Sequence, residues 1–282
     1  MKIAILSDIH GNLPALEAVA EHLTAWQPDH VVVNGDTVNR GPSSLAAWRF
    51  VQAQPSWQLL KGNHEEYVIE HGNGAGKAQN GRLFALNYMS YWTYLQHCGQ
   101  VEELAQLPDD LSLFAPDGSE LRLRHASMKN NRDSILSDSA DETVRAQIAP
   151  LPAVFATAHT HWTFVRSIEH TLVVNSGSVG TPADGDPRAS YAQIEWQCGQ
   201  WTARIVRLPY DRVDTQQKYI DSGFLAEAGP VGWLVFHEWW RAGDVVYPWL
   251  ARYYEAVLAG EIELETAVTR YLSEQGLEIP RL

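Results

Sequence analysis

Lys2-Ile3-Ala4-Ile5-Leu6-Ser7-Asp8-Ile9-His10 is a short apolar run that ends in a carboxylate and an imidazole. Its first five residues lack polar alternation, which predicts a strand buried on both faces. A helical pattern follows, with apolar positions at Leu13, Leu16, Val19, Ala20 and Leu23; Asn12 suits the N-cap and Pro14 the first turn. The arrangement then recurs. His30–Val33 predicts a second strand ending in Asn34-Gly35-Asp36, and Leu45–Gln52 reads as helix. Trp57–Leu60 predicts a third strand, ending in Gly62-Asn63-His64. Each unit places polar residues just past the carboxyl end of a strand, where open α/β sheets bind ligands.

The next stretch is richer in strands. Leu121–Arg124 delivers His125 at its end, and Val154–Ala158 delivers His159-Thr160-His161. Phe164–Ile168 and Thr171–Val174 read as a hairpin, a tight turn follows through Asn175, Gly177 and Ser178, and Tyr191–Trp196 with Thr202–Leu208 form another antiparallel pair. The expected fold is α+β, with two packed mixed β-sheets flanked by helices. Residues 1–208 are read as the catalytic domain, with a helical insertion or cap at about 65–106. Residues 209–282 are read as a helical C-terminal extension, from Tyr210–Ser222, Gly232–Ala242, Tyr247–Ala259 and Ile262–Gln275. Trp233, Trp239, Trp240 and Trp249 in that tail suit either a flap folded on the catalytic domain or a homo-oligomer surface.

Asp8, His10, Asp36, Asn63, His64, His125, His159 and His161 supply enough oxygen and imidazole donors for two metal ions, with one histidine left over. Two metals held in this way are common equipment for hydrolysing phosphate esters. On a strand, residues i and i+2 point the same way, so Asp8 with His10 and His159 with His161 are expected to converge from strand geometry. A mixed oxygen and nitrogen shell suits manganese, iron or zinc, with manganese favoured. A water bridging two such ions becomes hydroxide near neutral pH and can attack phosphorus in line.

With these blocks in order, the chain resembles the calcineurin-like metallophosphoesterases over roughly residues 1–208. The blocks are Asp8-Ile9-His10, Gly35 to Gly41, Gly62-Asn63-His64-Glu65, His125 and His159 to His161. The resemblance implies a four-layer sandwich, and one metal held by Asp8, His10, Asp36 and His161. It implies a second metal held by Asp36, Asn63, His125 and His159, so that Asp36 bridges the pair. His64 is then the histidine that is not a ligand and serves as general acid to the leaving group. Ala126 departs from the glycine that many relatives carry after the single histidine, a small-for-small change.

Arg40 lies in the Gly35–Gly41 run and is read as a substrate residue whose guanidinium holds a phosphate oxygen. Glu65 is expected to support the neighbouring His64, and Lys129–Arg132 either to touch substrate or, the favoured reading, to form a mobile surface loop. Composition bounds the partners. A formal charge of −13 argues against bulk nucleic-acid or anionic-membrane binding. No apolar run is long enough to span a bilayer, no signal-like start is evident, and Cys98 and Cys198 fit reduced thiols, so a cytoplasmic location is expected. The expected function is dimetal hydrolysis of a small-molecule phosphate ester. Its rivals are a dinucleoside polyphosphate hydrolase or protein phosphatase and, in another class, a silent protein-interaction scaffold that would have lost ligands.

Overall fold

A computed structural model describes residues 1–72 and 80–280. Its strands are β1 (Lys2–Leu6), β2 (His30–Asn34), β3 (Trp57–Leu60), β4 (Asp110–Phe114), β5 (Glu120–Arg124), β6 (Val154–Thr157), β7 (Thr163–Ile168), β8 (Thr171–Ser176), β9 (Ala189–Gln197) and β10 (Gln200–Leu208). The helices of the first 208 residues are α1 (Leu13–Trp26), α2 (Ser44–Gln52), α3 (Asn63–Gly72), α4 (Arg82–Leu86), α5 (Tyr88–Gln96), α6 (Glu102–Ala105) and α7 (Asp141–Ile148). The tail adds α8 (Arg212–Asp221), α9 (Phe224–Glu227), α10 (Pro230–Arg241), α11 (Val246–Ala259) and α12 (Leu264–Glu274).

The strands form two five-stranded mixed sheets, in the orders β10-β9-β1-β2-β3 and β4-β5-β6-β8-β7. β1, β2 and β3 are parallel to one another, as are β5, β6 and β8. The near-continuous apolar runs follow from this layering. Ile3, Ile5 and Val32 of one sheet meet Leu121, Leu123, Val154 and Val174 of the other. The alternate residues Ala4, Leu6, Val31 and Val33 pack on Leu16, Val19 and Trp48 of α1 and α2. Phe155 and Val173 face Val144 and Ile148 of α7. The result is helix, sheet, sheet, helix, with the carboxyl ends of both parallel sets delivering the polar blocks. Asn12 does cap α1, its side-chain oxygen accepting from the Ala15 amide at 3.3 Å.

The tail and the insertion share a core. Leu86, Met89 and Trp92 pack with Phe224, Val235, Trp239, Trp249 and Leu272. Trp239 and Trp249 are fully buried inside this chain, whereas Trp240 is half exposed. The tail is also tied to the start of α1: Asn12 Nδ2 donates to the Tyr210 hydroxyl at 3.3 Å, and the Thr215 hydroxyl donates to Asn12 Oδ1 at 3.1 Å.

Candidate metal centre

The loops after β1 and β2 are stitched together by backbone bonds. The amides of Asp8, His10 and Gly11 donate to the carbonyls of Gly35, Asp36 and Thr37 at 2.9–3.1 Å. Here the sequence expectation needs correcting. Asp8 and His10 lie beyond β1, and His159 and His161 beyond β6, so strand alternation does not aim them. All four adopt left-handed backbone, with φ of 52°, 47°, 67° and 60°. Asp36, Asn39 and Arg40 do the same at 57°, 67° and 65°. Left-handed backbone is costly away from glycine, though Asn, Asp and His tolerate it best. The turns swing the side chains back over the strand ends.

The donors converge tightly. His161 Nε2 lies 3.3 Å from Asp8 Oδ1 and 3.1 Å from His10 Nε2. His125 Nε2 lies 3.3 Å from Asp36 Oδ2 and 3.1 Å from Asn63 Oδ1, while His159 Nδ1 lies 2.9 Å from that same amide oxygen. Asp36 Oδ2 is also 3.7 Å from His10 Nε2, which puts Asp36 between the two groups. Asp8, His10, Asp36 and His125 are essentially sealed from solvent, and Asp8 Oδ1 has no hydrogen-bond partner. A buried carboxylate oxygen without a donor, facing several ring nitrogens, fits a cation. The same spacing also admits His64 beside His10 and Asp36.

Backbone carbonyls fix the ring tautomers. His125 Nδ1 lies 2.8 Å from the Asn34 carbonyl and His161 Nδ1 2.7 Å from that of Thr181. A carbonyl can only accept, so each Nδ1 carries a proton and each Nε2 is turned to the cluster. Burial lowers His10 well below the usual imidazole range and His159 to about 4. Burial would lower His125 as well, but the Asp36 and Asp8 carboxylates overcome it and raise that ring to about 10. Burial would raise Asp36, yet His125 and His64 hold it well below the carboxylate range.

Glu65 does not support His64, contrary to expectation. Its carboxylate accepts from the amides of Asp36 at 2.8 Å, Thr37 at 2.7 Å, Val38 at 3.2 Å and Gly62 at 2.7 Å. It therefore shapes the Asp36 loop. Burial and then Asp36 push its pKa up to about 7, against the pull of the amides. The partner of His64 is Asn39, whose Nδ2 lies 2.9 Å from His64 Nδ1. Asn39 Oδ1 accepts from the Arg40 amide at 2.9 Å and the Thr93 hydroxyl at 3.2 Å, which orients the amide with its NH₂ toward the ring. His64 Nδ1 thus accepts and Nε2 holds the proton. Burial is the main cause that lowers this ring to about 3.

Arg40 is nearly buried, and its Nη2 is engaged by Glu238 of α10, so the free fork expected from sequence is half occupied. Its Nε has no partner. The other Glu238 oxygen accepts from the Val245 and Val246 amides at the start of α11, at 3.2 and 3.0 Å. The Lys129–Arg132 loop is anchored rather than loose. Asn131 is buried with its amide 3.1 Å from Glu66, and Arg132 pairs with Glu66 at 2.6 Å while lying over the Tyr67 ring. Asn175 holds the His159–His161 turn by donating to the Ala158 carbonyl at 2.9 Å, and the Ser178 hydroxyl donates to the Asp8 carbonyl at 2.7 Å. Sequence reasoning missed Asn39, Thr181 and Glu238. Glu238 left a signal: a lone carboxylate between apolar and aromatic residues on a buried helix.

The family model for calcineurin-like phosphoesterases matches residues 1–178, the stretch that carries every residue of this cluster. The chain belongs to that family. It is accordingly a metal-dependent phosphoester hydrolase, of a family that uses divalent metals. It is 24% identical over 195 residues to the phosphodiesterase YfcE of Escherichia coli K12, covering 69% of this chain and 88% of that one. It is 25% identical over 238 residues to an uncharacterised protein of Methanocaldococcus jannaschii, covering 77% of this chain and 91% of that protein. Among solved structures, a metallophosphoesterase from Sphaerobacter thermophilus aligns with a TM-score of 0.63 at 25% identity, covering 86% of this chain and all of that one (100%). Among the described residues, no helix is long and apolar enough to cross a membrane.

Proposed function

We propose that residues 1–208 hydrolyse a phosphoester bond of a small molecule at a two-metal centre, with the tail helices completing the site. The observation that carries this is Asp36 set between two buried groups of donors, Asp8 with His10 and His161 on one side and His125 with His159 on the other. Asp8, His10, Asp36 and His161 would hold one ion, and Asp36, Asn63, His125 and His159 the other. When bound, the ions supply Lewis-acid stabilisation of phosphoryl oxygens and a water ionised near neutral pH. Manganese, iron and zinc all fit this donor set, and manganese is our choice.

The chain's own residues do the rest. His64, held by Asn39, presents Nε2 to the departing oxygen, and as the imidazolium, which an incoming phosphate anion favours, it donates its proton there. Arg40 turns its unpartnered Nε toward a phosphate oxygen while Glu238 fixes the guanidinium plane. A protein phosphatase is less well supported, because α10 and α11 wall the cavity beside His64 and leave about 410 Å³, the scale of a small ligand. A silent scaffold would have shed donors, and all are kept.

Metal analysis of His64→Ala with a panel of esters tests the assignment. Both metals should stay bound, and alkyl phosphate hydrolysis should fall by about a hundredfold, the lower end of general-acid effects. Nitrophenyl esters, whose leaving group needs little protonation, should lose much less. Equal losses on both ester types would remove the acid role, and lost metal would make His64 a ligand.

Arg40→Lys keeps a cation against Glu238 but gives up the fork. It should weaken kcat/KM for nucleotide polyphosphates by roughly 1.5–3 kcal/mol, one charge-assisted hydrogen bond. The loss on bis(nitrophenyl) phosphate should be smaller. If neither substrate responds, Arg40 serves only to anchor the tail.

A further inference from the structure

The cavity beside His64 is lined by two unlike sets of residues. One is polar and comprises Arg40, Asn63, His64 and His159. The other is made of Met89 of α5, Val235 of α10, and Val246, Leu250 and Tyr254 of α11. We propose that this apolar set forms a leaving-group pocket, and that the substrate is a phosphate ester of a compact apolar or aromatic alcohol. The proposal rests on the phosphoesterase reading and adds the chemistry of the group that departs.

Several observations point the same way. The apolar wall lines the same cavity as the polar set, so a phosphate near His64 directs its alcohol portion along it. Leu250 and Tyr254 are half-buried and present hydrocarbon that a ligand in the space would take from water, while Met89, Val235 and Val246 are already buried. Two polar groups on the wall are already engaged. Asn87 Nδ2 donates to the Leu83 carbonyl at 2.8 Å, and the Ser90 hydroxyl donates to the Asn87 carbonyl at 2.8 Å. A sugar or polyol would find these two groups taken, whereas an apolar group needs neither. In the polar set the Arg40 guanidinium, which lines the cavity, brings positive charge that suits an anion. A volume of about 410 Å³ takes a ring system or short chain beside the phosphate.

Calorimetry on the manganese-loaded chain with methylphosphonate and benzylphosphonate, which share the anion and are not hydrolysed, tests this. Benzylphosphonate should bind about tenfold or more tightly, the scale of burying one aromatic ring. Leu250→Trp, which fills the pocket, should bring the benzyl-over-methyl ratio to about one. Val235→Thr, which keeps the shape and adds a hydroxyl, should lower the ratio severalfold should the larger residue unfold the chain. Equal Kd values for the two phosphonates in the unaltered chain would overturn the pocket and leave the phosphoesterase reading intact. Failure of both to bind would overturn the two together. Folded variants that keep the full benzyl preference would also overturn the pocket.

Discussion

Asp36→Asn is expected to release both metals and to lower kcat/KM on any phosphoester by roughly a thousandfold or more, since several kcal/mol of transition-state stabilisation goes with the ions. The reason is position. Asp36 Oδ2 lies 3.7 Å from His10 Nε2 and 3.3 Å from His125 Nε2, closer to each than Asp8 Oδ1 is at 3.9 Å. A carboxamide keeps the shape and one acceptor but loses the negative charge that offsets two cations. The loop itself should survive, because Glu65 holds it through the backbone. Elemental analysis per chain with circular dichroism checks both halves. Full occupancy of both metals in a folded Asp36→Asn protein would take Asp36 out of the bridging position.

Glu65→Gln should produce the largest loss of stability, roughly 3–5 kcal/mol, the cost of disturbing a buried charge-assisted network. Four backbone amides converge on the Glu65 carboxylate at 2.7–3.2 Å. Glutamine presents one acceptor oxygen where two are in use, and turns an NH₂ against amide donors. Urea unfolding of the metal-free protein measures the change directly. Activity should fall with it, because the same amides set the backbone of Asp36. A loss below about 1 kcal/mol, the net value of an ordinary hydrogen bond, would mean that Glu65 is neutral in the folded chain.

Much of this was legible before any coordinates. The buried parallel strands announce themselves as apolar runs, each followed at once by a carboxylate, amide or imidazole, so β1, β2, β3, β5 and β6 come with their site residues attached. β4 was invisible for the opposite reason. Asp110–Phe114 is an edge strand, exposed at both ends and half-buried between, with no site residue to mark it. The short α7 and α9 were missed too, since their apolar faces are too brief to show a period. The donor set was readable from residue type, but its aim was not. Seven left-handed residues do that work, and left-handed geometry leaves only a weak compositional trace in Asp, Asn and His. The tail was readable as helices, yet nothing in its pattern said which face would look into the cavity.

The bond between Arg40 and Glu238 makes the two halves of this chain a single inheritance. The loop that carries Asp36 and Arg40 is neutralised from a helix that begins more than twenty residues after the last strand. Cutting the chain after Leu208 would strand a buried guanidinium and, in the severed piece, expose a carboxylate shaped to receive it. Grafting a tail from another member of the family would succeed only where an acid arrives at the same place. Variation in the appendage is therefore not free to proceed without the catalytic loop. Any drift toward a new substrate through α10 and α11 must carry Arg40 along with it.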